Sequence, residues 1–274
     1  MRTTATRCLS PAVLVSLLAG LVFSYPFLWM FLSAFKTNKE IYQPLLLFPA
    51  DYEWDAFAAL FSGKYLDFTR FFLNSVFISC LQALFATAVT ACAGFAFAKL
   101  NFRFKGALFL LAVLVILVPK QALAIPLFEW LTWLELNGSR WAVILPGIAS
   151  GLGIVFFTQI FSRIPNELID LARVEGASLP RTFLAILPLV APALVTYGLI
   201  HFILAWQEHL FPLLLLSDTN QTLPLGLAKL RDSSHRIPEA VAMAAATFTL
   251  VPVVVLFAVF YGKMRTALAE LTLH

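Results

Sequence analysis

The stretch Ala107-Leu108-Phe109-Leu110-Leu111-Ala112-Val113-Leu114-Val115-Ile116-Leu117-Val118 contains no charged side chain and no side-chain hydrogen-bonding group. A membrane β-barrel would spread its apolar residues in alternation along strands of about ten residues. Here they are continuous, as a helix in hydrocarbon requires. The rest of the chain extends the argument. Of 274 residues, 61% are apolar and only 12% are charged, and the mean hydropathy is +0.87. A soluble domain carries roughly a quarter charged residues, so too little polar surface exists to cover a globule in water. The composition predicts an all-α integral membrane protein. At about 20 residues per span, the length holds roughly five to seven helices and leaves no room for a separate soluble catalytic domain.

Outward from that run, the hydropathy pattern predicts six transmembrane helices, at about 12–35, 71–98, 107–126, 141–161, 187–216 and 240–261. The first is read as an uncleaved span, because hydrophobicity continues through Tyr25-Pro26-Phe27-Leu28-Trp29-Met30 beyond any signal-peptide length. Between the first two spans, Asp51, Glu53, Asp55 and Asp67 mark an external loop. The basic stretch Lys99 to Lys105 marks a cytoplasmic turn. Both termini are then cytoplasmic. Lys and Arg divide almost evenly between the two sides, so this orientation rests on the shortness of the inside loops. The net charge of +4 fits such loops and does not call for nucleic acid. Cys8, Cys80 and Cys92 are scattered, with no spacing that suggests a metal site or a disulfide framework.

One segment between the fourth and fifth spans differs from the rest: Arg163-Ile164-Pro165-Asn166-Glu167-Leu168-Ile169-Asp170-Leu171-Ala172-Arg173-Val174-Glu175-Gly176-Ala177. Pro165 and Asn166 mark a helix start, Glu167 and Asp170 place negative charge near its positive end, and Gly176 is a stop. Leu168, Leu171, Ala172 and Val174 form an apolar stripe. The expectation is a short amphipathic helix on the cytoplasmic side, suited to a groove on a partner or to a lipid surface.

This segment resembles the signature of the membrane subunits of ABC importers, in particular the sugar-type permeases related to the maltose permease. Asp170-Leu171-Ala172 occupies the family's E-A-A triplet, Gly176 its glycine, and Ile186-Leu187-Pro188 its close. Glu175-Gly176-Ala177 matches the Asp-Gly-Ala of the sugar branch. Further matches follow in order: Phe35-Lys36-Thr37, Asn74-Ser75, Ala96-Phe97-Ala98-Lys99-Leu100, Ala205-Trp206-Gln207-Glu208 and Leu223-Pro224-Leu225-Gly226-Leu227. Two departures stand out, Asp170-Leu171 in place of Glu-Ala and a C-terminus without the glycine-rich tail.

The resemblance implies one transmembrane domain over 1–274, with a cytoplasmic coupling loop at 163–186. Its function would be that of a permease subunit in an ATP-driven importer of a sugar, polyol or oligosaccharide, in a bacterial inner membrane. ATPase coupling would fall to Glu167, Asp170, Leu171, Ala172, Arg173, Glu175, Gly176 and Ala177. The implied partners are a second permease subunit, two ATPase subunits that bind ATP and Mg, and an extracytoplasmic solute-binding protein. The chain itself would bind no cofactor and catalyse no reaction. It has no G-x-x-x-x-G-K-[ST] phosphate loop.

From the residues alone, Tyr197, His201, Trp206, Gln207 and Glu208 are pathway candidates, since polar groups in a span need a partner or water. Hydrogen bonds between helices are the other reading. His201, Glu208 and His209 do not have H-E-x-x-H spacing, so no metal is expected. An ion-coupled secondary transporter is the alternative function; it calls for mid-membrane ionisable groups and internal repeats, and no clear repeat is seen.

Overall fold

The computed structural model describes residues 11–43, 45–231 and 237–272, with 263–272 by backbone alone. Cys8, together with Arg2, Arg7, Arg236 and the side chains of Lys263 and Arg265, which count in the division of Lys and Arg between the two sides, lies outside this description. The described elements are almost entirely helical: α1 (Pro11–Ser33), α2 (Asn38–Ile41), α3 (Asp55–Phe61), α4 (Phe68–Lys99), α5 (Lys105–Leu117), α6 (Ala124–Trp133), α7 (Trp141–Ile148), α8 (Gly151–Ser162), α9 (Asn166–Val174), α10 (Leu179–Ile186), α11 (Ala191–Trp206), α12 (Leu210–Leu215), α13 (Leu223–Leu230) and α14 (Glu239–Thr272). Short 3-10 turns precede α6 and α11.

Four stretches are long and apolar enough to cross a bilayer: Pro11–Ser33, Phe68–Lys99, Leu179–Trp206 and Glu239–Gly262. Two bent pairs raise the number to six if each is one span, α5 with Lys120–Trp133 at 102° and α7 with α8 at 40°. The chain is therefore an all-α, multi-pass membrane protein. The structure bends both the third and the fourth of the apolar stretches read from hydropathy. Pro119 precedes the first bend, and Pro146 deprives the helix before the second of a ladder N–H. The fifth apolar stretch starts earlier than its hydropathy boundary, at Leu179, and its helix ends at Trp206 before the short α12.

The chain divides into two compact units. The first comprises 1–68 and 227–251. Phe35 is its hub, with ring centroids 4.9 Å from Trp54, 5.1 Å from Phe57 and 5.8 Å from Tyr52. Phe248 lies 4.8 Å from Phe61 and 6.0 Å from Phe57. Around this aromatic core the loop after α1 is tied by charge. Lys36 is 2% exposed; its Nζ donates to the Leu46 carbonyl and lies 5.8 Å from the Trp29 ring centre. Burial pulls its ammonium below its ordinary pKa, and the Glu40 carboxylate opposes that shift. Glu40 accepts from Ala50 N–H at 2.9 Å, Thr37 N–H at 2.9 Å and the Thr37 hydroxyl at 3.0 Å.

The second unit comprises 69–226 and 252–274. One of its cores joins Ala91 and Phe95 of α4, Phe157 and Phe161 of α8, Ile169 of α9, and Ile186, Val190 and Tyr197. Another joins Ile78 of α4, Leu131 of α6, three residues of α7 and Leu215-Leu216. Close approach of α4 to α8 depends on Gly94. A Cβ there would lie 2.4 Å from Phe157 Cβ and 2.7 Å from its backbone carbon.

Two predictions follow from these contacts. Gly94→Ala gains about 1 kcal/mol of helix propensity, but the clash is with backbone that cannot rotate away, and overpacking costs typically 1–3 kcal/mol. The net expectation is a lower thermal midpoint in detergent; an unchanged or raised midpoint would contradict the close packing. For the loop, the Ala50 and Thr37 donors hold the Glu40 carboxyl below its ordinary range. The tether is then complete above the ordinary carboxylate pKa and is lost as pH falls through the lowered one. Amide exchange at Ala50, corrected for its intrinsic rate, should accelerate on acidification in the wild type and show no such step in Glu40→Gln.

Candidate functional site

The segment between α8 and α10 folds as a short helix with a defined start, stop and anchor. At its entry Lys99, the last residue of α4, donates from Nζ to the Ile164 carbonyl and, at 2.8 Å, to Asn166 Oδ1. Pro165 is extended (ψ 138°) and releases the chain into α9. At its exit, Gly176 N–H bonds the Arg173 carbonyl and Ala177 N–H the Ala172 carbonyl, both at 2.9 Å. This double closure is a Schellman cap. It puts Gly176 at φ +77°, a left-handed conformation that a Cβ disfavours. Gly176 therefore ends α9 by backbone conformation; nothing lies within 4 Å of the place its Cβ would take.

α9 is apolar on more than one side. Ile169 is 3% exposed and packs into the core with Phe161 and Ile186, and Ala172, one turn on, is half-buried. Leu168, Leu171 and Val174 point outward, at 42%, 57% and 85% exposure. The stripe anticipated from sequence is thus split, with Ala172 on the inward side and the others outward. Ile169 was absent from the sequence-derived site, although its spacing of three from Ala172 is the signal that could have found it. Glu167, Asp170, Arg173 and Glu175 are exposed and Ala177 is half-buried; Asp170 and Arg173 form an ion pair at 3.5 Å.

The pathway candidates on and after α11 fall into separate places. Tyr197 and His201 are buried, with Tyr197 Oη 3.3 Å from His201 Nδ1. Tyr197 reaches the break between α7 and α8. A Cβ on Gly153 would come 2.3 Å from Tyr197 Oη, so the glycine admits the ring. Thr90 of α4 also packs here, its Cγ2 2.7 Å from the place a Gly153 Cβ would take. Ser150 Oγ in turn accepts Gly153 N–H at 3.2 Å, capping α8. On the other side of the break, Gln82 Nε2 donates to the Val143 carbonyl at 2.9 Å, in the turn preceding Pro146. Gln82, Ser150 and Gly153 at this break are neighbours that α11 gains only in three dimensions.

Trp206 is buried, stacked on Phe202 at 5.6 Å and edge-on to Phe72 at 5.8 Å, whereas Gln207 is exposed. Glu208 bridges two elements. Its Oε1 accepts the N–H groups of His209 at 3.1 Å and Leu210 at 3.0 Å, at the start of α12. Its Oε2 lies 3.3 Å from Lys120 Nζ, in the turn at the 102° bend. Among the described residues, no group of three or more His, Cys, Asp and Glu side chains is placed to hold a metal.

Magnitudes separate the two roles of Glu208. The Lys120 side chain is 64% exposed, and ion pairs of that exposure contribute about 0–1 kcal/mol. Losing an acceptor for backbone N–H groups costs about 0.5–1.5 kcal/mol per bond. Thermal unfolding should therefore show Glu208→Ala well below wild type, with Glu208→Gln and Lys120→Gln both close to it. Equal losses for Glu208→Gln and Glu208→Ala would make the charge, not the cap, the larger contribution.

Comparison with known proteins bears on the whole chain. The family model for binding-protein-dependent transport system inner membrane components matches residues 88–266. The arabinooligosaccharides transport system permease protein of Halalkalibacterium halodurans is 31% identical over 86% of this chain and 86% of its own length. The trehalose transport system permease protein of Mycobacterium tuberculosis is 29% identical over 97% of both. The fold matches a solved chain of a bacterial ABC transporter involved in the import of the acidic polysaccharide alginate. The TM-score is 0.79 over 92% of this chain and 94% of that one, at 22% identity. With the matched region running from the middle of α4 through the α9 segment into α14, the chain belongs to the family of binding-protein-dependent transport system inner membrane components.

Proposed function

We propose that this protein is the permease subunit of an ATP-driven importer for a sugar or a related polyol or oligosaccharide, and that α9 is the element through which a cytoplasmic ATPase moves it. The observation that carries the reading is the outward apolar row Leu168, Leu171 and Val174 on a helix locked at both ends. A free helix of nine residues is marginal in water. This one is anchored by Ile169 and Lys99, so force applied to its outer face passes into α4 and α8 and is not dissipated in a loose loop. In this reading Leu171 enters a groove on the ATPase, and Glu167, Asp170, Arg173 and Glu175 set polar contacts at its rim. Gly176 and Ala177 turn the chain away. The carbohydrate class is supported by the relatives, which transport arabinooligosaccharides and trehalose by name.

The assembly that follows is one copy of this chain with a second, different permease subunit, two ATPase subunits holding ATP and Mg, and an extracytoplasmic solute-binding protein. Residues 1–274 form one transmembrane domain of six spans in a bacterial inner membrane, each bent pair counting as one, with both termini cytoplasmic. The solute pathway follows α11 and its end, where Tyr197, His201, Trp206, Gln207 and Glu208 lie. Of these, Gln207 and Glu208 are the accessible ones. Tyr197 and His201 act from behind, packed beside the α7–α8 break.

Gly176→Asp tests the coupling reading. The substitution adds both a strained left-handed residue, at about 1–2 kcal/mol, and a charge at the exit of the docking helix. The expected result is normal membrane insertion, loss of ATPase co-purification and loss of ATP-driven uptake in vesicles, with Gly176→Ala intermediate. A Gly176→Asp complex that co-purifies and transports like wild type would overturn the assignment of α9.

A further inference from the structure

The turn between α4 and α5 carries a feature that neither the coupling nor the pathway reading uses. Phe104 adopts φ 64° and ψ 15°, one of two non-glycine residues at positive φ among those described. The ring it carries is 65% exposed, and that of Phe102 is 38% exposed. A left-handed backbone at a bulky residue is strained and persists only where its surroundings hold it. Here the Phe104 ring gains little burial from its own chain. Its recorded companion is Arg103, whose guanidinium carbon sits 4.8 Å from the ring centre.

The neighbouring cations are occupied. Lys99 holds the entry to α9, and Lys105 Nζ donates to the Leu100 carbonyl at 2.9 Å. Arg103 is exposed, and among the described residues no carboxylate pairs with it. The turn joins a membrane-spanning helix, α4, to the apolar α5, on which Leu108, Leu110 and Leu111 are exposed at 47%, 56% and 57%. A five-residue connection between two such helices emerges where hydrocarbon gives way to headgroups. Phenylalanine rings on interfacial segments bury at the headgroup–acyl boundary, and a planar guanidinium matches a phosphate oxygen pair bidentately.

We propose that the Phe102-Arg103-Phe104 turn is a binding site for the headgroup of an anionic phospholipid. Arg103 contacts the phosphate, and the strained Phe104 presents its ring to the interface beside it. The bilayer thereby supplies the burial that the chain does not.

The test uses the purified complex in detergent micelles doped with phosphatidylglycerol or, as the neutral arm, phosphatidylcholine. Phosphatidylglycerol should raise the thermal midpoint of the wild type more than phosphatidylcholine does. Arg103→Gln should bind phosphatidylglycerol about fivefold more weakly, as loss of one cation near a charged surface implies, with its midpoint in undoped micelles unchanged. Phe104→Gly should be at least as stable as wild type without lipid, because the strain is gone, yet lose most of the phosphatidylglycerol increment. The proposal is overturned if Arg103→Gln keeps the full increment, if inorganic phosphate reproduces it, or if Phe104→Gly is less stable than wild type in undoped micelles. Loss of ATPase co-purification in Arg103→Gln with the lipid increment intact would assign the turn to the ATPase instead.

Discussion

Backbone hydrogen bonding in hydrocarbon is the constraint on which the rest of this structure depends. No water is present there to receive a freed N–H or C=O, so a span either stays helical or finds a side-chain substitute at every interruption. The substitutes in the fourth span can be named. Gln82 serves the Val143 carbonyl and Ser150 the Gly153 N–H. After α11, Glu208 does the same for the start of α12. Several polar residues of this apolar chain are thus placed where the backbone is broken, while others, such as Thr87, Thr158 and Thr247, bond carbonyls within unbroken helix.

That placement alters how an intramembrane histidine is understood. In a single-sequence view, a buried His and Tyr four residues apart present one polar helix face and invite a ligand. In the folded chain their polar atoms face each other, and the Tyr197 hydroxyl lies against Gly153 in the first turn of α8. They pack beside a break whose hydrogen bonds come from Gln82 and Ser150.

The apolar runs made the helical class and the approximate spans legible in the sequence, because a 20-residue hydrophobic stretch has few alternatives. Pro119 and Pro146 also advertised interruptions. The size of each bend, 102° and 40°, did not follow from them, since a proline marks an interruption without setting its angle. Lys120 illustrates the limit. Nothing in its neighbourhood along the chain distinguishes it from any other loop lysine, and its partner Glu208 is 88 residues away. Gly176 lies at the other extreme: a glycine after an amphipathic run forecasts a left-handed cap from local physics alone, and the structure closes it as a Schellman motif. Ile169 falls between. It belongs to the same apolar arc as Leu168 and Leu171, and only the position of Phe161 and Ile186 decides that it turns inward.

α9 shows why such a division of one arc is useful. A helix whose apolar residues all faced its own core would be stable but inert, and one whose apolar residues all faced outward would depend on its partner for order. Burying a residue such as Ile169 contributes roughly 1.5–3 kcal/mol, of the same order as the ordering entropy of one or two residues. That contribution alone would not hold nine residues. Lys99 at the entry and the two backbone bonds at Gly176 and Ala177 supply the remainder. They leave Leu168, Leu171 and Val174 uncovered. The helix is ordered in advance of docking, so a partner that binds this row need not supply the energy of folding it. Under the proposed coupling, a displacement imposed on this row would pass to α4 through Lys99 and to α8 through Phe161.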